Sequence, residues 1–333
     1  MSLHKPRTAN ELAQFEKVAI PPIFSGIYRM CKTKAGGEIN GIHYTTIELH
    51  NASGIQVGLC ETEAINWYQN KPYQLVHARG YQLNGADEHL VHILEIKPAT
   101  DMLGINAILS LPRTLCKEPS YLDKLVSLRH TIQSPALGQF VDRLFADDDI
   151  VIPFLQVPAS SKHHHNYVGG LLAHSIEVAE FAANQSYDSK DEREIAIVTA
   201  LFHDIGKVRT LGANLASTNL GKMVGHDDLT LEICATALKE LDKTWSEASY
   251  TMRHVWTCAT PGAKYGFERN CTIANIVQFA DKLSVDRYDQ NETFKSNNKS
   301  HGLAWDSKKF YWRPAAELTS NERNNLCLLT STR

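Results

Sequence analysis

Near residue 100 the hydrophobic pattern of this chain changes its period from two to between three and four, so one uniform architecture cannot account for both halves. Before that point apolar residues alternate: Thr45, Ile47 and Leu49 in "HYTTIELHN", Ile55, Val57 and Leu59 in "GIQVGLCE". In "HLVHILEIKP" the alternation sets Val91, Ile93 and Glu95 against His92, Leu94 and Ile96. Turn-forming clusters separate these runs at "KAGGEING", "NASG" and "LNGAD". Five short strands with one helical stretch over 61–69 predict a small closed or half-open β-barrel across residues 20–100; an OB-fold has that inventory, and an SH3-like barrel has a similar strand count.

From about residue 120 the spacing becomes helical, in "YLDKLVSLRHTI", "PALGQFVDRLFAD", "HSIEVAEFAANQS", "REIAIVTALFHDIG", "DLTLEICATALKELDKTW" and "CTIANIVQFADKLSV". The expectation is an α+β multidomain chain: an arm at 1–19, the barrel at 20–100, a linker at 101–119, an all-α bundle at 120–290 and a tail at 291–333. The aromatic island "LAWDSKKFYW" in that tail fits a short hairpin. A length of 333 residues suits two domains of ordinary size.

Composition removes several function classes. The net charge of −3 offers no general basic field for nucleic acid, so any such binding has to be local. Seven scattered cysteines without CxxC spacing argue against a disulfide framework or a thiolate zinc site. No apolar run approaches the ~20 residues of a membrane span, and the start lacks a signal-peptide pattern, so the expected compartment is the cytoplasm, without a membrane partner. Self-association is left open.

The helical half carries the chemistry. In "TALFHDIGKVRTL" an apolar helix ends in adjacent His203 and Asp204, polar groups that demand partners. His174 opens a predicted helix, His226 stands just before another, His254 lies in "MRHVWTC" and Asp281 lies within an apolar helix, at separations of 29, 22, 28 and 27 residues along the series. That is about one helix and one loop apart, so a bundle can deliver all six side chains to one centre. Four imidazoles and two carboxylates suit two divalent metals bridged by a carboxylate. Donors without cysteine favour Mn, with Fe, Zn, Co or Ni also compatible. Asp227 and Asp228 in "GHDDLT" offer a second His–Asp pair, but helix capping explains them.

The order H…HD…H…H…D, with "HDIGK" at its centre, resembles the HD superfamily of metal-dependent phosphohydrolases. More closely, "VPASSKHHHNYVGGLLAHSIEVA" is similar to a block of the YhaM-like 3′-to-5′ exoribonucleases, which place an OB-fold before the HD domain. The same block resembles the HD segment of TraI-type relaxases of the MobH class, and the tail resembles more weakly the region that follows it there. By this resemblance His174, His203, Asp204 and Asp281 would bind metal, Asp204 would bridge, and His226 and His254 would complete a second site. His164 and His165 would face the substrate phosphate or orient the ligands. Lys207, three residues beyond Asp204, is placed to stabilise phosphate charge, although lysine at a helix end also caps carbonyls.

The implied activity is removal of nucleotides from the 3′ end of single-stranded RNA or DNA. In the barrel, Arg29, Lys32, Lys34, Lys71 and Arg79 would contact phosphate, and Tyr44 and Tyr73 would stack on bases, although single aromatics in a small barrel also serve as core. Two other functions fit the residues. One is hydrolysis of a small or cyclic nucleotide; the other is a DNA-processing or conjugation-associated binding module with a structural metal or dormant site.

Overall fold

A computed structural model describes residues 23–68, 70–82, 90–99, 106–162, 164–258 and 266–316, without the side chains of 32–36. The first half is a closed five-stranded OB-like barrel of β1 (Ile23–Ile39), β2 (Ile42–Asn51), β3 (Gly54–Glu61), β4 (Gln74–Gln82) and β5 (Leu90–Pro98), in the order β1-β2-β3-β5-β4. Antiparallel pairs make up most of it, and β3 meets β5 in parallel. Asn40 and Gly41 turn β1 into β2 with φ of 53° and 80°, the left-handed pair that a two-residue hairpin needs. Asn51 closes the next turn by accepting the N–H groups of Ser53 and Gly54.

Two local expectations are corrected. The helical stretch at 61–69 is only a 3₁₀ turn at Thr62–Ile65. In β5 the strict alternation breaks, because the register with β4 shifts between Arg79 and Gly80 and leaves Leu94 as the extra residue of a β-bulge. Ile93 and Ile96 therefore both enter the barrel core, while Leu94 is exposed.

The stretch expected as a linker, 101–119, is over its described part a packed segment. The 3₁₀ turns Ala107–Ser110 and Arg113–Leu115 occupy it, and Ala107, Ile108 and Leu111 are fully buried. Helices α1 (Pro119–Thr131), α2 (Pro135–Ala146), α3 (Asp148–Gln156), α4 (Gly170–Ala183), α5 (Lys190–Phe202), α6 (Lys207–Thr210), α7 (His226–Thr244), α8 (Ser246–Thr257) and α9 (Thr272–Ser296) follow. The apolar patterns did not predict α3, where Pro153 interrupts the reading, or α8. Helices α4 and α5 are buried nearly all round, which makes them the centre of the bundle, and α9 packs against both. Beyond α9, β6 (Gly302–Trp305) and β7 (Phe310–Arg313) form a hairpin whose Ala304 and Tyr311 pack on Phe294. No helix among the described residues is long and apolar enough to cross a membrane.

Barrel and bundle meet across a polar seam. Arg29 of β1 has no exposed surface; its guanidinium pairs with Asp148 at the start of α3 and donates to the carbonyls of Phe145 (2.5 Å) and Tyr73 (3.3 Å). Burial pulls the Arg29 pKa down to about 9, against the opposing pull of Asp147, so the group stays charged at neutral pH. Lys71 reaches Asp149 at 3.1 Å across the same seam, and His50 bonds Thr114 at 3.1 Å. Arg29 is thus removed from the expected nucleic-acid set, because its charge is consumed inside the protein. Lys71 is diverted in the same direction.

Candidate metal centre

Three helices of the bundle core converge on one point. His174 sits in the second turn of α4, His203 caps the C-terminus of α5, and Asp281 lies in α9. One donor atom from each lies within 4.8 Å of the others. His174 Nε2 is 3.1 Å from Asp281 Oδ1 and 3.4 Å from Asp204 Oδ2; His203 Nε2 is 3.8 Å and 3.4 Å from the same oxygens.

Hydrogen bonds on the far side of each ring decide what these nitrogens offer. His203 Nδ1 donates to the carbonyl of Ala200 at 2.7 Å, which leaves Nε2 as the atom turned inward. Ser284 accepts from His174 Nδ1 at 3.1 Å, with the same result. Both inward Nε2 atoms are buried without a hydrogen-bond partner. Buried polar atoms normally find partners, so two imidazole lone pairs facing two carboxylates call for a cation between them. Nitrogen and oxygen donors without sulfur fit a first-row divalent ion.

Electrostatics agree with that fit. Burial alone would raise the Asp204 carboxyl, but Lys207, His203 and His174 outweigh it and hold it well below the usual range. Asp281 is lowered in the same way by His174 and His203, again against burial. Burial alone would lower His203, yet Asp204 and Asp281 raise it to about 10. A proton on His203 is the charge these two acids draw in when nothing else supplies it.

Asp204 presents its second oxygen elsewhere. His226 Nε2, at the first residue of α7, lies 3.0 Å from Asp204 Oδ1, while Lys207 donates to Oδ2 at 2.5 Å. The close crossing depends on Gly206, since a Cβ there would sit 1.9 Å from the His226 carbonyl oxygen. The glycine of "HDIGK" is therefore what lets α7 deliver its imidazole.

The paired histidines separate. His164 packs at a tilt 5.5 Å from the His174 ring, and burial, aided by His174 and Lys207, lowers it to about 4, so it is neutral at physiological pH. His165 is buried at φ 48°, bonding Tyr167 at 3.1 Å and Ser284 at 3.3 Å, and so turns to the supporting side instead of toward a substrate. Gly170 permits this path, because a Cβ there would lie 2.0 Å from the His165 carbonyl oxygen. His254 does not join the cluster: its Nε2 accepts the N–H of Asn270 at 3.4 Å, and among the described residues it makes no ion pair with Asp204 or Asp281.

Sequence reasoning missed Glu177 and Ser284, although each stands three residues after a ligand candidate, the spacing that shares a helix face. Of the barrel residues, Arg79 is exposed and Tyr44 half-buried beside His92, while Tyr73 packs edge-on to His50 near the seam. The side chains of Lys32 and Lys34 lie outside the described residues.

Comparison with known proteins bears on the same segment. The chain is similar to the 3′-5′ exoribonuclease YhaM of Bacillus subtilis, at 22% identity over 266 residues, covering 78% of this chain and 83% of that protein. It is also similar to the YhaM proteins of Oceanobacillus iheyensis (23%, 66% of this chain and 69% of that one) and Listeria welshimeri (24%, 66% and 71%). The model of the HD domain family matches residues 171–286, a span that contains His174, the His203–Asp204 pair, His226 and Asp281. The helical half of this chain therefore carries an HD domain, behind an OB-like barrel.

Proposed function

We propose that this chain is a cytoplasmic, metal-dependent nuclease that removes nucleotides from the 3′ end of single-stranded nucleic acid. The observation that carries the reading is the convergence of His174, His203 and Asp281 donor atoms within 4.8 Å, next to Asp204. These four residues would hold one divalent ion, Mn being the first candidate, and Asp204 Oδ1 with His226 would begin a second site. An ion there supplies Lewis acidity to a phosphoryl oxygen and makes nearby water more acidic.

The rest falls to the chain's own groups. Lys207, held against Asp204, stands where its ammonium can pair with a non-bridging phosphate oxygen. His164, neutral at physiological pH, can hydrogen-bond the phosphate without adding charge. The names of the YhaM relatives support a polymer substrate and the 3′-to-5′ direction. Arg79 and Tyr44 remain as the barrel's described candidates for guiding a strand.

The test gives metal-stripped protein a 5′-labelled single strand, RNA and DNA in parallel, and then adds Mn. A ladder shortening from the 3′ end is expected. Cleavage confined to internal positions or to mononucleotides overturns the proposal.

A further inference from the structure

We infer that Ser284 and Glu177 are positioning residues that lock His174 into the ring orientation and tautomer a metal requires. The inference rests on the metal-centre reading above and extends it to side chains that touch no metal.

The argument is one of hydrogen counting. The Ser284 hydroxyl has a single proton, and it goes to Glu177 Oε2 at 2.6 Å. Whatever else meets that oxygen has to donate to it. His174 Nδ1 approaches at 3.1 Å and His165 Nε2 at 3.3 Å, so both carry N–H. His165 Nδ1 is then free to accept the Tyr167 hydroxyl at 3.1 Å. His165 Nε2 also lies 3.4 Å from Glu177 Oε2, so its one proton is shared between hydroxyl and carboxylate; in either case His174 Nδ1 has to donate to Ser284 while the hydroxyl proton stays on ionised Glu177.

Glu177 stays ionised for a visible reason. Burial would raise it, but hydrogen bonds from His165 and Ser284 hold it below the ordinary carboxylate range. The consequence falls on His174, which is fully buried and has no room to choose another partner. With Nδ1 committed to Ser284, only Nε2 can face Asp281 and Asp204. The same logic repeats on both helices: ligand His174 and support Glu177 are three apart on α4, ligand Asp281 and support Ser284 three apart on α9. That spacing puts each pair on one helix face, so packing α4 against α9 assembles ligands and supports together. His203 needs no such help, because a backbone carbonyl fixes it.

The test uses the full chain with Ser284→Ala and Glu177→Gln, each checked for an unchanged thermal unfolding profile. Mn alone is titrated into metal-stripped protein by calorimetry, and exchange of the His174 ring N–H with solvent is followed by NMR in the metal-free state. Ser284→Ala is expected to weaken Mn binding about 10–100-fold and to expose the ring N–H to fast exchange. Glu177→Gln should weaken it less, since the amide oxygen still accepts the Ser284 hydroxyl; if the alanine variant does not fold, this one carries both measurements. Unchanged Mn affinity or unchanged N–H exchange in the folded variants overturns the inference. Should the wild type bind no Mn, the metal-centre reading fails instead, and the N–H exchange still reports on the lock.

Discussion

Two buried polar clusters in this molecule are balanced in opposite ways. At the seam between barrel and bundle, Arg29 meets Asp148 and two carbonyls, so its charge is matched from within the protein. At the bundle centre Lys207 answers only Asp204, while His174 and His203 turn unpartnered nitrogens toward Asp204 and Asp281. A matched cluster holds domains together. An unmatched one is a candidate binding site, and the difference is visible only when each donor and acceptor is counted.

The largest effect expected from breaking this contrast is at Asp204, whose two oxygens face different partners. Asp204→Asn should lower hydrolysis at least about a thousandfold, about 4 kcal/mol of transition-state stabilisation, while the protein stays folded. Steady-state assays with Mn, beside a circular dichroism spectrum, check both halves of that statement. Retained activity would mean that the carboxylate is only structural.

At the seam the outcome is reversed. Arg29→Met leaves buried Asp148 with only Lys71, 3.8 Å away, so urea unfolding should show a loss of up to about 3–5 kcal/mol. Turnover per folded molecule should barely change. Adding Asp148→Leu should recover most of the lost stability, because an apolar pair of similar volume suits a buried site. A fall in turnover without a fall in stability would instead return Arg29 to the substrate path.

The same contrast explains what could be read in one dimension. The period change near residue 100 separated barrel from bundle, and the spacing of His174, His203–Asp204 and Asp281 anticipated their meeting. Helical periodicity reports which face of a helix is buried, and it brought together the candidate donors of α4, α5 and α9, although the same reasoning also included His254, which stands apart. Long-range pairing leaves no such mark. Arg29 read as a free cation because Asp148 is 119 residues away, and the local sequence around neither residue records the other. The bulge at Leu94 was hidden for a similar reason, since register depends on β4 and not on β5 alone. His164 and His165 are neighbours of one type that both pack 5.5 Å from the His174 ring, and only the fold shows that His165 is the one bonded to Ser284.

The central claim is that convergent lone pairs grip a divalent cation, and calorimetric titration of Mn into metal-stripped wild-type protein at pH 6, 7 and 8 tests it most directly. His203 has its pKa raised from its ordinary value to about 10, so across this range it holds a proton that the ion has to displace. Affinity should therefore rise with pH, by up to about tenfold per unit for one released proton. In the metal-free protein the sign is opposite: the stability gained from protonated His203 is complete below about 6.5 and disappears as pH rises through about 10. Saturable binding that tightens with pH is the predicted result, and absence of saturable Mn binding at all three pH values would contradict the account.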